Sequence, residues 1–347
     1  MNWVEQLMRS HLKDLVPYSS ARDEYSGNKG IFLDANENAF GSVIGKGWNR
    51  YPDPYQKHLK SRISKIKEVR EDRIFLGNGS DEPIDLLIRA FCEPGRDKVL
   101  VTSPTYGMYR VSASIHNIEV IDVNLKDDFQ LDEKSIIEKS REAKIIFLCS
   151  PNNPTGNLMN RETILRVVSR SKSLVVVDEA YIDFSTNHSL ISEIENHENL
   201  IILQTFSKAW GLAALRAGLA FGDPFLIELL NKIKPPYNIS GPVQKLLDEA
   251  LDQVDKKDKW VENILIERER LSNELSQLPV VVKVHKSNAN FLLVRFTNSS
   301  AIFAYLKDQK VIIRDRSNVA LCEGCLRITV GTPKENSVLM EALKNYE

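Results

Sequence analysis

Lys208 stands directly after Thr205, Phe206 and Ser207, at the end of the apolar run NLIILQ (199–204). Arg216 follows inside an otherwise apolar segment, QTFSKAWGLAALRAG (204–218). A lysine amine can attack a carbonyl carbon and hold it as a Schiff base, or act as a base once its proton is gone. Taken alone, such a lysine is more often a solvated loop residue and such an arginine a helix-end cap. Four further polar clusters, each at the end of an apolar run, argue for chemistry. In NGSDE (78–82) two glycines flank Asn78, and Ser80 and Asp81 open a helix; free N–H groups there suit a phosphate, although Ser-Asp also makes an ordinary N-cap. SPTYGMYR (103–110) places Tyr106 just past a turn, where its ring can stack on a flat ligand or simply pack. SPNNPTG (150–156) turns the chain and offers two amides to a ligand oxygen. DEAY (178–181) begins with Asp178, an acid ending a buried strand, which needs a cation or hydrogen-bond donors.

Bringing these clusters together requires strands that end side by side. Short apolar runs recur at 73–77, 98–102, 118–123, 143–149, 173–178, 199–204 and 215–222, several of them β-branched as in strands buried on both faces of a parallel sheet. Between them, 80–95 carries a helix start, apolar residues at helical spacing and a Pro-Gly stop, and 131–140 reads as helical. This is an α/β pattern, with helices covering a central sheet whose ligands bind beyond the strands' carboxyl ends. After IKPPYNIS (233–240) the texture changes. A charged helical stretch over about 241–277, strands near 280–284, 291–294, 311–313 and 326–330, a helix near 300–307 and a terminal helix read as a smaller α+β domain, bounded at Pro235 and Pro236.

The clusters converge on one kind of ligand. It is flat, for Tyr106, and carries a phosphate, for the helix start at Ser80 and Asp81 and for Thr205, Ser207 and Arg216. It has a protonated ring nitrogen, for Asp178, and an electrophilic carbon, for Lys208. Pyridoxal phosphate meets all four demands.

Composition sets the limits. The 347 residues are 42% hydrophobic and 27% charged, an ordinary globular balance long enough for roughly two domains. With 46 basic and 47 acidic residues interspersed, neither nucleic acid nor an anionic membrane is an expected partner. Six scattered histidines show no metal-ligand spacing. Of the four cysteines, Cys322 and Cys325 form one C-x-x-C; no second pair of zinc ligands follows, and the motif reads as a turn between strands. Few cysteines, no signal-peptide core and no apolar run able to span a bilayer suggest a cytoplasmic protein.

SPNNPTG, DEAY and SKAWGLAALR resemble the fold-type-I pyridoxal-phosphate aminotransferases, and the likeness runs through nearly the whole chain. VPYSSAR (16–22), LDANEN (33–38), RYPDP (50–54), IIRD (312–315) and CLRITVGT (325–332) narrow it toward the histidinol-phosphate aminotransferase family of histidine biosynthesis. The resemblance implies a large domain with a mostly parallel seven-stranded sheet between helices, over 31–235, and a small α+β domain over 236–347. It also implies an N-terminal arm, 1–30, packing on the small domain and the partner subunit. It makes Lys208 the Schiff-base lysine and proton carrier and Asp178 the partner of the ring nitrogen. Asn153 and Tyr181 would bond the ring oxygen, Tyr106 would stack, and Gly79, Ser80, Asp81, Thr205, Ser207 and Arg216 would hold the phosphate. Tyr51 would reach that phosphate from the other subunit of a homodimer. Arg327 would take the phosphate of histidinol phosphate or the carboxylate of glutamate, since the guanidinium fork binds either. Tyr18 and Arg314 would assist it, with Arg316 close enough to replace Arg314, and Asn36 would lie near the substrate. The reaction would be ping-pong transfer between L-glutamate and imidazole acetol phosphate. Two departures, Ala214 for an expected glycine and Trp210 for phenylalanine, touch none of this chemistry. Rival readings are an aromatic-amino-acid aminotransferase, a threonine-phosphate decarboxylase and a ligand-sensing regulator; the last needs a DNA-binding domain for which no room precedes Tyr18.

Overall fold

The computed structural model describes residues 3–18, 30–45 and 47–346. After α1 (Lys57–Lys67), strands and helices alternate through β1 (Ile74–Asn78), α2 (Asp81–Phe91), β2 (Lys98–Ser103), α3 (Met108–Ile115), β3 (Glu119–Asn124), α4 (Glu133–Lys139), β4 (Ala143–Cys149), α5 (Arg161–Arg170), β5 (Leu174–Asp178), β6 (Leu200–Thr205), β7 (Ala217–Phe221) and α6 (Pro224–Ile233). The seven strands form one sheet in the order β1-β7-β6-β5-β4-β2-β3. Only β7 runs antiparallel to its neighbours. Each of the seven apolar runs expected to be a strand of this sheet is one.

The central strands serve two cores because successive side chains alternate between faces. Val175 and Val177 join Leu59, Ile63, Ile164 and Val167 on one face. Leu174 and Val176 join Phe75, Leu87, Phe91 and Leu226 on the other. Covered on both sides, a strand can end in a buried polar residue only where the layers part, which is at its carboxyl end.

The second unit is built from α7 (Gly241–Ala250), α8 (Val254–Leu275), β8 (Val281–Val284), β9 (Phe291–Phe296), α9 (Ser299–Asp308), β10 (Arg314–Asp315), β11 (Cys325–Thr329) and α10 (Pro333–Lys344). Its four strands pair antiparallel in the order β10-β11-β9-β8. Two expectations need correcting. The charged helix is broken at Leu251–Gln253, and Leu247 and Leu251 share a core with Leu59 and Ile63. The strand expected near 311–313 is instead the two-residue β10, fixed by the pairing of Arg314 with Arg327. The amino-terminal segment lies on the large unit: Val4, Met8 and Leu12 are buried with Phe75 and Phe91, and Arg9 pairs with Glu93 at 2.9 Å. Residues 19–29 of the arm, including the SSAR of VPYSSAR, lie outside the described residues. Among the described residues no helix is long and apolar enough to cross a membrane.

Candidate active site

The carboxyl ends of β1, β2, β4, β5 and β6 meet around one pocket. It is lined by Ser80, Asp81, Tyr106, Cys149, Asn153, Asp178, Ala180, Tyr181, Thr205, Ser207, Lys208, Ala213 and Arg216. The five clusters read from the sequence therefore share one site.

Asp178 forms its floor. The carboxylate is buried and accepts bonds from Tyr109 Oη to Oδ2 at 2.7 Å and from Ala180 N to Oδ1 at 3.0 Å. Burial raises its pKa from 3.8 to about 6, against those two bonds. No cationic side chain bonds it among the described residues. The neighbouring Glu179 faces away and accepts from Leu190 N, Ser189 Oγ and Gln204 Nε2 at 2.6, 2.7 and 2.9 Å, tying the ends of β5 and β6 to the loop between them.

A cradle for an anion lies at the other end of the pocket. Ser80 precedes α2 without capping it, so its hydroxyl is not spent on the helix. Arg216, at φ +51°, donates through Nη1 to Ser207 Oγ at 3.3 Å and lies 3.6 Å from Asp81. The cradle depends on two missing side chains. Gly79 has φ +74°, and a Cβ there would sit 2.8 Å from Arg216 Nη2. A Cβ on Gly218 would sit 2.4 Å from both Gly79 C and Ser80 N, so β7 can approach the turn only as glycine. Hydroxyls, a guanidinium and free N–H groups at a helix start fit a phosphate. A buried acid without a cation fits a protonated ring nitrogen. The donor set suits pyridoxal phosphate.

Lys208 enters between these ends, with Nζ 5.4 Å from the centre of the Tyr181 ring. Desolvation first, and then the charge of Arg327, lower its pKa; Asp178 opposes them. Arg327 of β11 reaches over from the small unit and donates to Asn153 Oδ1 at 2.5 Å, and Asn153 Nδ2 lies 3.5 Å from Tyr181 Oη. The small unit is thereby wired to the pocket wall.

Other expected residues lie apart. Arg314 is exposed and lines a separate hollow with Arg327, Phe303 and Lys307. Tyr18 lines a cavity with Tyr55 and Lys234. Asn36 is exposed, at φ +54°. Tyr51 is half exposed and stacks on Tyr237 at 4.5 Å. Sequence reasoning passed over Tyr109, although it lies in SPTYGMYR only three residues after Tyr106, in the first turn of α3. Cys322 and Cys325 are free and buried, joined by a turn in which Cys325 N donates to Cys322 O at 2.9 Å. No group of acids, histidines and cysteines suited to a metal occurs among the described residues.

Residues 24–343 match the family described as aminotransferase class I and II. A histidinol-phosphate aminotransferase from Cytophaga hutchinsonii is 51% identical over 344 residues, covering 99% of each chain. Among solved structures, the histidinol-phosphate aminotransferase from Clostridium acetobutylicum superposes with a TM-score of 0.80 at 26% identity, over 86% of this chain and 90% of that one. The enzyme of that name from Sinorhizobium meliloti, solved with pyridoxal-5'-phosphate, shares the fold with a TM-score of 0.80 at 23% identity, over 97% of each chain.

Proposed function

The chain belongs to the aminotransferase class I and II family, and we propose that it moves an amino group between L-glutamate and imidazole acetol phosphate, giving L-histidinol phosphate and 2-oxoglutarate, in L-histidine biosynthesis. The observation carrying the reaction class is that Lys208 and the buried, cation-free Asp178 face one pocket with a phosphate cradle at its end. The full-length kinship with histidinol-phosphate aminotransferases carries the substrate.

Pyridoxal phosphate, when bound, supplies an electrophilic carbon and an electron sink. This chain's residues do the rest. Ser80, Thr205, Ser207, Arg216 and the backbone at Gly79 and Asp81 hold the phosphate. Asp178 holds the ring nitrogen's proton, Tyr106 covers the ring face, and Asn153 and Tyr181 bond the ring oxygen. Lys208, whose pKa desolvation lowers, would carry the proton between the substrate α-carbon and C4' of the cofactor. Arg327 grips the substrate's phosphate in one half-reaction and the carboxylate of glutamate in the other. Arg314 and Tyr18 border that end of the substrate, and Asn36 stands near it.

A homodimer accounts for the residues left outside the pocket. Phe40 and Val43 stand wholly exposed and Ile44 largely so, in the segment that precedes Tyr51, as a segment does that a second copy covers. Tyr51 then reaches the other subunit's phosphate cradle. The even charge fits a cytoplasmic enzyme. The test is glutamate formation from 2-oxoglutarate and L-histidinol phosphate by the holoprotein. Glutamate from L-phenylalanine but not from histidinol phosphate overturns the substrate, and carbon dioxide from threonine phosphate overturns the reaction.

A further inference from the structure

Tyr109 is completely buried, yet its hydroxyl is the only side-chain donor to the acid at the heart of the site, among the described residues. Its ring has no freedom to do anything else. It stacks on Phe147 with centroids 4.9 Å apart and planes 7° from parallel, and it meets Tyr106 edge-on at 5.6 Å. One tyrosine thus touches both the residue assigned to the ring nitrogen and the residue assigned to the ring face.

We propose that Tyr109 is a positioning residue, which holds Asp178 ionised and turned toward the pocket by donating its hydroxyl hydrogen to Oδ2. With Tyr109 on Oδ2 and Ala180 N on Oδ1, the carboxyl plane is fixed at two points and its remaining lone pairs are left to the pocket that Asp178 lines. Several groups bear on that carboxylate. Asp81, at the start of α2, favours its neutral form; Lys208, after β6, favours the charged one. Cys149 on β4 and Tyr181 lie close enough to feel its charge, as does Tyr106. None of these is a bonded donor, so the hydroxyl of Tyr109 and one backbone N–H oppose the desolvation alone. A hydrogen bond to a charged group contributes about 1.5–3 kcal/mol, equivalent to one pH unit or more in the acid's ionisation. The inference rests on the reading of Asp178 as the ring nitrogen's partner.

The test compares wild type with Tyr109→Phe, which keeps the stacked ring and removes only the hydroxyl. In apoprotein labelled at the aspartate carboxyl carbons, with Asp178→Asn identifying the signal, the ionisation of Asp178 should move up by about one pH unit or more. In equilibrium dialysis at pH 5, where the acid is mostly protonated in both proteins, the variant should hold pyridoxal phosphate about tenfold more weakly, since each pH unit of that rise is a factor of about ten in the ionised fraction. Tyr109→Leu, which also removes the stack, controls for packing. If Tyr109→Phe leaves both the titration and the affinity at wild-type values while Tyr109→Leu lowers stability, Tyr109 is a packing residue and the inference fails alone. If wild type itself binds no pyridoxal phosphate, the reading of the site fails with it.

Discussion

Asp178→Asn should make the apoprotein more stable at neutral pH while removing its chemistry, and the gain should vanish in acid. The ordinary pKa of an aspartate, 3.8, is raised here to about 6, with burial the leading cause. Between those values the folded chain carries a proton on Asp178 that the unfolded chain has released, so stability falls as pH rises through that window. At about 1.36 kcal/mol per pH unit, the whole effect is about 3 kcal/mol. Asparagine is nearly isosteric and does not titrate. The difference in unfolding free energy, variant minus wild type, should therefore widen by roughly 2 kcal/mol between pH 4 and pH 7, the rest of the effect lying below pH 4. Its value at pH 4 absorbs any change in packing or hydrogen bonding; only the widening reports the charge. Urea unfolding of the two apoproteins, followed by tryptophan emission at matched pH, measures it. A difference that stays constant across the range refutes the claim that this site buries an uncompensated acid.

Three further outcomes follow from the geometry. Lys208→Ala should retain fold and cofactor yet abolish amino transfer; measurable turnover, checked by glutamate formation, would remove Lys208 from the proton path. Gly218→Ala drives a Cβ to 2.4 Å from Gly79 C and Ser80 N; overpacking of that kind costs about 1–3 kcal/mol, and it should loosen pyridoxal phosphate in dialysis because the turn carrying the cradle must move. Arg327→Lys keeps the charge but loses the fork that reaches Asn153 at 2.5 Å, so KM for histidinol phosphate and for 2-oxoglutarate should both rise about tenfold or more, with cofactor absorbance unchanged.

The sheet was legible because its strands are covered on both faces, which forces continuous apolar runs that end where polar chemistry begins. That one fact of burial revealed both the fold and five sides of the site. Elements whose limits depend on partners across the fold were harder to read. β10 exists only because Arg314 lies opposite Arg327, and no local pattern marks a two-residue strand. The packing of α7 depends on Leu247 sharing a core with Ile63, far away in sequence. The amphipathic start of the chain was visible, but not which unit it would cover. Tyr109 escaped because tyrosine in a helix reads as packing; its role appears only when Asp178, far along the chain, arrives within 2.7 Å. The residues still apart, Tyr18, Asn36, Tyr51 and Arg314, are all exposed.

The most direct test of the central claim is a visible absorbance titration of the purified holoprotein with L-histidinol phosphate, alongside L-phenylalanine and L-threonine phosphate. The account predicts that histidinol phosphate alone, at low concentration, bleaches the absorbance of the lysine-linked cofactor and raises that of its aminated form. No such absorbance even after addition of pyridoxal phosphate would contradict the account at its root, returning Lys208 to an ordinary loop lysine.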